Sequence, residues 1–217
     1  MLAISSSRGW LPRALYAGGL ALVLGGLPDF ALSGSTDSPA IRHTWNEVQQ
    51  QWEKDERARW WAQLTVVELQ AFLEAQVDVN LADKRGWTPL HSAARENGNP
   101  EITELLLGQG AEIGARDRAG DTPLHWAAAE NDNPEVVATL LRHGGSVNER
   151  DRYGWTPLHT AAETSSDADI IELLLNAGAE PGKRAYFLLF SPKFLLRHNG
   201  NIPDADRARA LAMLEAH

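Results

Sequence analysis

The chain has 217 residues, 43% of them hydrophobic and 23% charged, enough apolar material for one compact domain or a short repeat array and too much for a disordered chain. Asp and Glu outnumber Lys and Arg by 29 to 20, for a net charge of −9, so a polyanion such as DNA is repelled unless basic residues gather on one face. The absence of cysteine excludes disulfides, thiolate metal sites, thiol nucleophiles and a lipoprotein anchor.

At the amino end, Arg8 and Arg13 precede the apolar stretch Ala14 to Leu27, which Pro28 closes. That length suits the h-region of a signal peptide and is too short for an ordinary membrane span. Ala31-Leu32-Ser33 sets small residues two positions apart and predicts cleavage after Ser33, giving a signal peptide over 1–33 and a periplasmic or secreted chain. An uncleaved anchor, or a start codon placed ahead of a cytoplasmic protein, would leave the same pattern. Residues 34–44 open with Gly-Ser-Thr-Asp-Ser-Pro-Ala, small and polar, and read as a linker.

Beyond the linker the chain repeats itself. Asp83, Asp117 and Asp151 stand 34 residues apart. In step with them run Gly86, Gly120 and Gly154, then Thr-Pro-Leu-His at 88–91, 122–125 and 156–159, then the alanine pairs Ala93-Ala94, Ala127-Ala128 and Ala161-Ala162. Thr before Pro supplies an N-cap oxygen followed by a residue suited to the first helical position, so a short helix starts at each copy and ends near Glu96, Glu130 and Glu163. Its alanines let a neighbouring helix approach closely.

Asn99-Pro100-Glu101 and Asn133-Pro134-Glu135 open a second helix, with Asp167 the cap in the third copy. Its core stripe is Ile102, Leu105 and Leu106; Val136, Leu140 and Leu141; and Ile170, Leu173 and Leu174. Gly110, Gly144 and Gly178 follow where a helix end favours a left-handed residue. The Asp- and Gly-containing stretch before the next Thr-Pro reads as a hairpin-like turn.

Asp-x-x-Gly-x-Thr-Pro-Leu-His-x-Ala-Ala followed by a second helix resembles the ankyrin repeat. The resemblance covers Asp83 to Lys183, and its period is one residue longer than the usual 33. It implies an all-α repeat solenoid of stacked helix-turn-helix units with short hairpin-like loops. The expected units are an N-terminal capping repeat over 45–82, full repeats over 83–116, 117–150 and 151–184, and a degenerate C-terminal cap over 185–217. In the first, Trp45 to Ala62 supplies an inner helix and Leu64 to Asn80 an outer one. In the last, Ser191-Pro192 restores the cap-proline pair one residue late and Pro203 opens a helix bearing Leu211 and Leu214. Trp45, Trp52 and Trp60 or Trp61 fall seven to nine residues apart, which suits a helix face covering the end of the stack. A membrane-surface helix is disfavoured by Glu47, Glu53, Asp55 and Glu56.

His91, His125 and His159 invite a metal reading, but equivalent positions in stacked units lie about 8 to 10 Å apart, whereas zinc holds each imidazole nitrogen at about 2 Å. The resemblance implies a structural role, hydrogen-bonding neighbouring turns. The sequence carries no nucleophile motif, phosphate-cradling loop or paired-carboxylate signature, so neither catalysis nor a cofactor nor a metal is expected.

The resemblance further implies that hairpin tips and the exposed side of the inner helices grip a partner protein. The non-repeating residues there are the contact candidates: Lys84, Arg85 and Trp87 in the first hairpin, Arg118 and Asp121 in the second, and Arg152, Tyr153 and Trp155 in the third, with Arg95, Trp126 and Glu130 beside them. Trp, Tyr and Arg are enriched at binding hot spots. For Trp87 and Trp155 the competing account is packing on a neighbouring hairpin, and the basic tips could equally be solvated charges. The expectation is an exported monomer that binds another protein and regulates or protects it, with a membrane-tethered scaffold as the alternative if residues 14–27 stay in place.

Overall fold

Thr-Pro at regular intervals dictates where the chain turns into helix, and the computed structural model shows the outcome for residues 54–183, 185 and 190–216. The expected signal peptide, the linker, Trp45 and Trp52 lie outside the described residues. In chain order the helices pair as α1 (Lys54–Gln63) with α2 (Val66–Glu74), α3 (Pro89–Glu96) with α4 (Pro100–Gly108), α5 (Pro123–Glu130) with α6 (Pro134–Arg142), α7 (Pro157–Thr164) with α8 (Ala168–Asn176), and α9 (Pro192–His198) with α10 (Asp204–Ala216). Inner helices α1, α3, α5, α7 and α9 each pack on the next, and outer helices α2, α4, α6, α8 and α10 do the same. The result is an all-α repeat solenoid, with no strand among the described residues beyond a lone Ala185–Phe190 bridge.

Thr88, Thr122 and Thr156 are the N-caps of α3, α5 and α7, in extended conformation with Pro following. Asn99, Asn133 and Asp167 cap α4, α6 and α8, each side chain accepting from a backbone N–H two residues on. Those bonds satisfy donors that a helix start leaves orphaned. Gly110, Gly144 and Gly178 take φ values of +86°, +92° and +90°, as their place after the outer helices predicts.

Every alanine of the three pairs is fully buried between inner helices. On the outer helices the buried set is broader than a single stripe. Ile102, Leu106, Val136, Leu140, Ile170 and Leu174 are buried, but so are Val137, Ile171 and Leu175, while Leu105, Leu141 and Leu173 are only partly covered. An outer helix packs against its own inner helix and against outer helices on either side, which closes more than one face. Each such aliphatic side chain contributes about 1.5–3 kcal/mol on burial.

The turns between inner and outer helices lock successive units together. Asn97 Nδ2 donates to the carbonyls of Trp61 and Leu64 (2.7 and 3.0 Å), Asn131 to those of Ala94 and Asn97 (2.8 and 3.1 Å), and Asn199 to that of Ser165 (2.8 Å). These buried amides recur in the 34-residue register, with Ser165 at the remaining position. Asn199 restores that register in the last unit because α9, starting one residue late, has seven residues where α3, α5 and α7 have eight. At the other end Trp61 is fully buried, and Trp60 meets Trp61 and Phe72 edge-on at 5.2 and 5.6 Å.

Candidate functional site

Each hairpin is tied around its aspartate. Asp83 Oδ1 accepts from the backbone N–H of Arg85 and Trp87 (2.7 and 2.9 Å), Asp117 Oδ1 from Ala119 and Asp121 (2.8 and 3.0 Å), and Asp151 Oδ1 from Tyr153 and Trp155 (2.8 and 2.7 Å). Adjacent hairpins are then joined by backbone bonds, Arg118 N–H to Arg85 O (2.8 Å) and Arg152 N–H to Ala119 O (2.9 Å). The tips therefore form a continuous edge.

The second carboxylate oxygen differs from hairpin to hairpin. Asp83 Oδ2 takes Arg57 Nη1 at 2.6 Å and Arg85 Nε at 3.2 Å, and the Arg57 and Asp83 side chains are only 7% and 6% exposed. Asp117 Oδ2 takes two indoles, Trp87 Nε1 and Trp126 Nε1, each at 3.1 Å. Trp87 itself is 5% exposed. Its ring lies 4.6 Å from that of Trp126 and is ringed by the guanidiniums of Arg85, Arg95 and Arg57 at 4.5, 5.6 and 5.9 Å. Cations over an indole face are attracted by its quadrupole. Arg95 also bonds Glu96 (2.9 Å) and Glu130.

A narrow crevice, open to solvent and too tight for a water molecule as it stands, runs between Arg57, Trp61, Arg85, Trp87, Ser92 and Arg95. Arg85 Nη2, Ser92 Oγ and Arg95 Nε are buried there without a hydrogen-bond partner.

The inner-helix histidines are structural. A backbone N–H can only donate, so the bonds from Thr88 N and Thr122 N to the Nδ1 of His91 and His125 (3.1 and 3.2 Å) require that nitrogen to be bare and place the proton on Nε2. Nε2–H then donates to Asp121 O and Trp155 O, both at 3.2 Å, one hairpin further along. Thr156 N binds His159 Nδ1 in the same way (3.2 Å). Burial pushes His91 below its ordinary range and pushes His125 and His159 down to about 4, so they are neutral in the fold. Asp121 moves in the opposite direction, up to about 7, through burial first and then repulsion from Asp117 and Asp151. Among the described residues no cluster of three His, Cys, Asp or Glu could hold a metal.

A family model for ankyrin repeats in three copies matches residues 61–117 and 93–185, more than half of the chain. The chain belongs to the ankyrin-repeat family. No curated protein matches it significantly. Ankyrin repeats are typically non-catalytic modules that mediate protein–protein interaction.

On this ankyrin stack the eleven contact candidates divide into two groups. Arg85, Trp87, Arg95, Trp126 and Glu130 converge on one cluster, where Trp87 adopts the packing alternative and presents no ring face to solvent. Lys84, Arg118, Arg152 and Tyr153 stand exposed along the hairpin edge, with Asp121 and Trp155 half-buried beside them. Sequence reasoning missed Arg57, Ser92 and the second role of Asp117. Arg57 sits in a unit without the motif, and the indole bonds to Asp117 arise only when two repeats stack.

Proposed function

We propose that this is an exported ankyrin-repeat protein that binds a partner protein and regulates or protects it through its hairpin tips and the adjoining inner-helix surface. The observation that carries the binding surface is Tyr153, a large side chain left 57% exposed at a hairpin tip. It sits on an edge made rigid by hairpin-to-hairpin bonds and flanked by exposed Arg118 and Arg152. Exposed aromatic and arginine side chains on a preorganised surface bind at low entropic cost. Export rests on Arg8, Arg13, the apolar run 14–27 and Ala31-Leu32-Ser33. Among the described residues no helix is long and apolar enough to cross a membrane.

Affinity capture from an envelope fraction with the chain from Gly34 onward, with mass spectrometry of the captured proteins and of the endogenous amino terminus, tests both parts. The expected result is a terminus near Gly34 and one enriched partner that Tyr153→Ala with Trp155→Ala loses. An intact terminus in the membrane fraction would replace export with a membrane-tethered scaffold, and undiminished capture by the double variant would move the interface elsewhere.

A further inference from the structure

The hairpin edge carries a row of cations that the fold does not use. Lys84, Arg118 and Arg152 recur at intervals of 34 residues, one per hairpin, and all are exposed. Among the described residues no carboxylate pairs with any of the three, whereas Arg57, Arg85, Arg95, Arg116, Lys183 and Arg209 all have acidic partners. The hairpins that carry the row are bonded to each other through Arg118 N–H and Arg152 N–H, so its spacing is set by the stack and not by loop motion.

The other end of the helices has the opposite sign. Each inner helix runs from a hairpin to an inter-helix turn and each outer helix runs back, so the turns lie at the far edge. The turns and first residues of the outer helices carry Glu101, Asp132, Glu135, Asp167 and Asp169, with no Lys or Arg from 97 to 103, 131 to 137 or 165 to 171. On a chain of net charge −9 the hairpin edge thus carries three unpaired cations one repeat apart, opposite these carboxylates. Such an asymmetry orients an incoming charged partner before contact.

We propose that this row docks an acidic helix of the partner protein, an inference that rests on the reading of the hairpin edge as the binding surface. Stacked helices lie about 8–10 Å apart, and carboxylates seven residues apart on one helix are separated by about 10.5 Å, so glutamates at every seventh position match the row. At the α1 end of the row, Arg85 Nη2 and Arg95 Nε are buried without acceptors, which leaves further guanidinium N–H groups unsatisfied beside Lys84. A nucleic acid fits less well, because the chain as a whole is acidic and only three unpaired cations face it.

The test uses the full chain and a fluorescent helical peptide with glutamates at every seventh position, read by anisotropy at low and high salt, beside the same peptide carrying lysines and a single-stranded DNA oligonucleotide. The Glu peptide should bind, lose affinity with salt, and bind roughly tenfold to a hundredfold more weakly to Lys84→Glu/Arg118→Glu/Arg152→Glu. The control Arg59→Glu/Arg142→Glu/Arg197→Glu, exposed residues elsewhere with the same change in net charge, should bind almost as the parent does. If the hairpin triple fails to fold, Arg118→Glu alone should show a smaller loss in the same direction. Equal weakening by both triples, no preference for Glu over Lys peptide, or tighter binding of DNA would each overturn the proposal. Capture of a natural partner separates the two readings: capture that the hairpin triple leaves intact removes the acidic-helix proposal while protein binding stands, and no capture by the parent removes the functional reading itself.

Discussion

The first and third hairpins carry the same run, Gly-Trp-Thr-Pro-Leu-His, yet Trp87 is buried while Trp155 remains half-exposed. The difference comes from the following unit. Thirty residues after Trp87 stands Asp117, which accepts its indole N–H, and Trp126 lies against its ring. Thirty residues after Trp155 stands Ala185, and the position that matches Trp126, thirty-nine residues on, is Phe194, 44% exposed and set against Phe190 and His198. Three arginines close over Trp87, whereas Asp151 has only backbone donors and its carboxyl is raised above the ordinary range, by burial first. A repeat motif therefore fixes the backbone of a unit, and the neighbour decides whether its aromatic becomes core or surface.

The sharpest way to break this comparison is to truncate both tryptophans. Trp87→Ala should cost about 4 kcal/mol, in the range for large core aromatics, and Trp155→Ala about 1–2 kcal/mol. Denaturant unfolding at equal m-values measures both. Equal costs would mean that the third hairpin is as tightly packed as the first. Of the two accounts that the sequence leaves open for Trp87, partner contact and packing on a neighbouring hairpin, a large cost supports packing.

The aspartates should show the same asymmetry on a smaller scale. Asp117→Ala removes the acceptor of two indoles and two backbone N–H groups and should destabilise by about 3 kcal/mol, while Asp151→Ala strands two backbone donors and should cost about 1–2 kcal/mol. Two-state unfolding curves decide the order, and a larger loss at Asp151 would sink the argument.

Much of this stack was legible in the sequence because its determinants are local. Thr-Pro starts an inner helix wherever it stands, paired alanines mark close approach, and the spacing of the histidines alone argued against a shared metal. The exposed tips Lys84, Arg118, Arg152 and Tyr153 were legible as tips for the same reason. The burial of Trp87 was not, because it depends on Asp117 and Trp126 from the next unit and on Arg57 from a cap that lacks the motif. Two equal motifs look alike in one dimension until the residue thirty places on is compared.

Acid should act on both regions alike. His125 and His159 have pKa values of about 4 in the fold against about 6.5 unfolded, so their contribution is complete above the unfolded value and is lost as pH falls through it toward 4. By pH 5 each imidazole should have cost about 2 kcal/mol relative to pH 7. Asp121 opposes this: with its pKa raised to about 7 it favours the folded state more at pH 5 than at pH 7. Stability measured from pH 7 to 5 should therefore fall, and His125→Asn and His159→Asn should flatten the profile equally. A profile that steepens in Asp121→Asn would confirm the opposing sign.

The smallest expected difference lies in the hairpin glycines. Gly120 has φ +89°, and a Cβ there would sit 3.0 Å from Arg152 N and 3.3 Å from Asp151 Cα, backbone atoms that cannot withdraw without parting the two hairpins. Gly154 has a similar φ of +80°, but its Cβ would meet the mobile end of Arg150 at 3.2 Å and otherwise only Ala185 Cα at 3.9 Å. Both alanine variants bear the left-handed penalty of about 1 kcal/mol. Only Gly120→Ala adds a backbone clash, which should bring its cost to about 2 kcal/mol. The difference tests whether adjacent hairpins are held at fixed separation: if Gly120→Ala costs no more than Gly154→Ala, the second and third hairpins can part without loss, and the edge is not the rigid strip that the Arg152 N–H to Ala119 O bond describes.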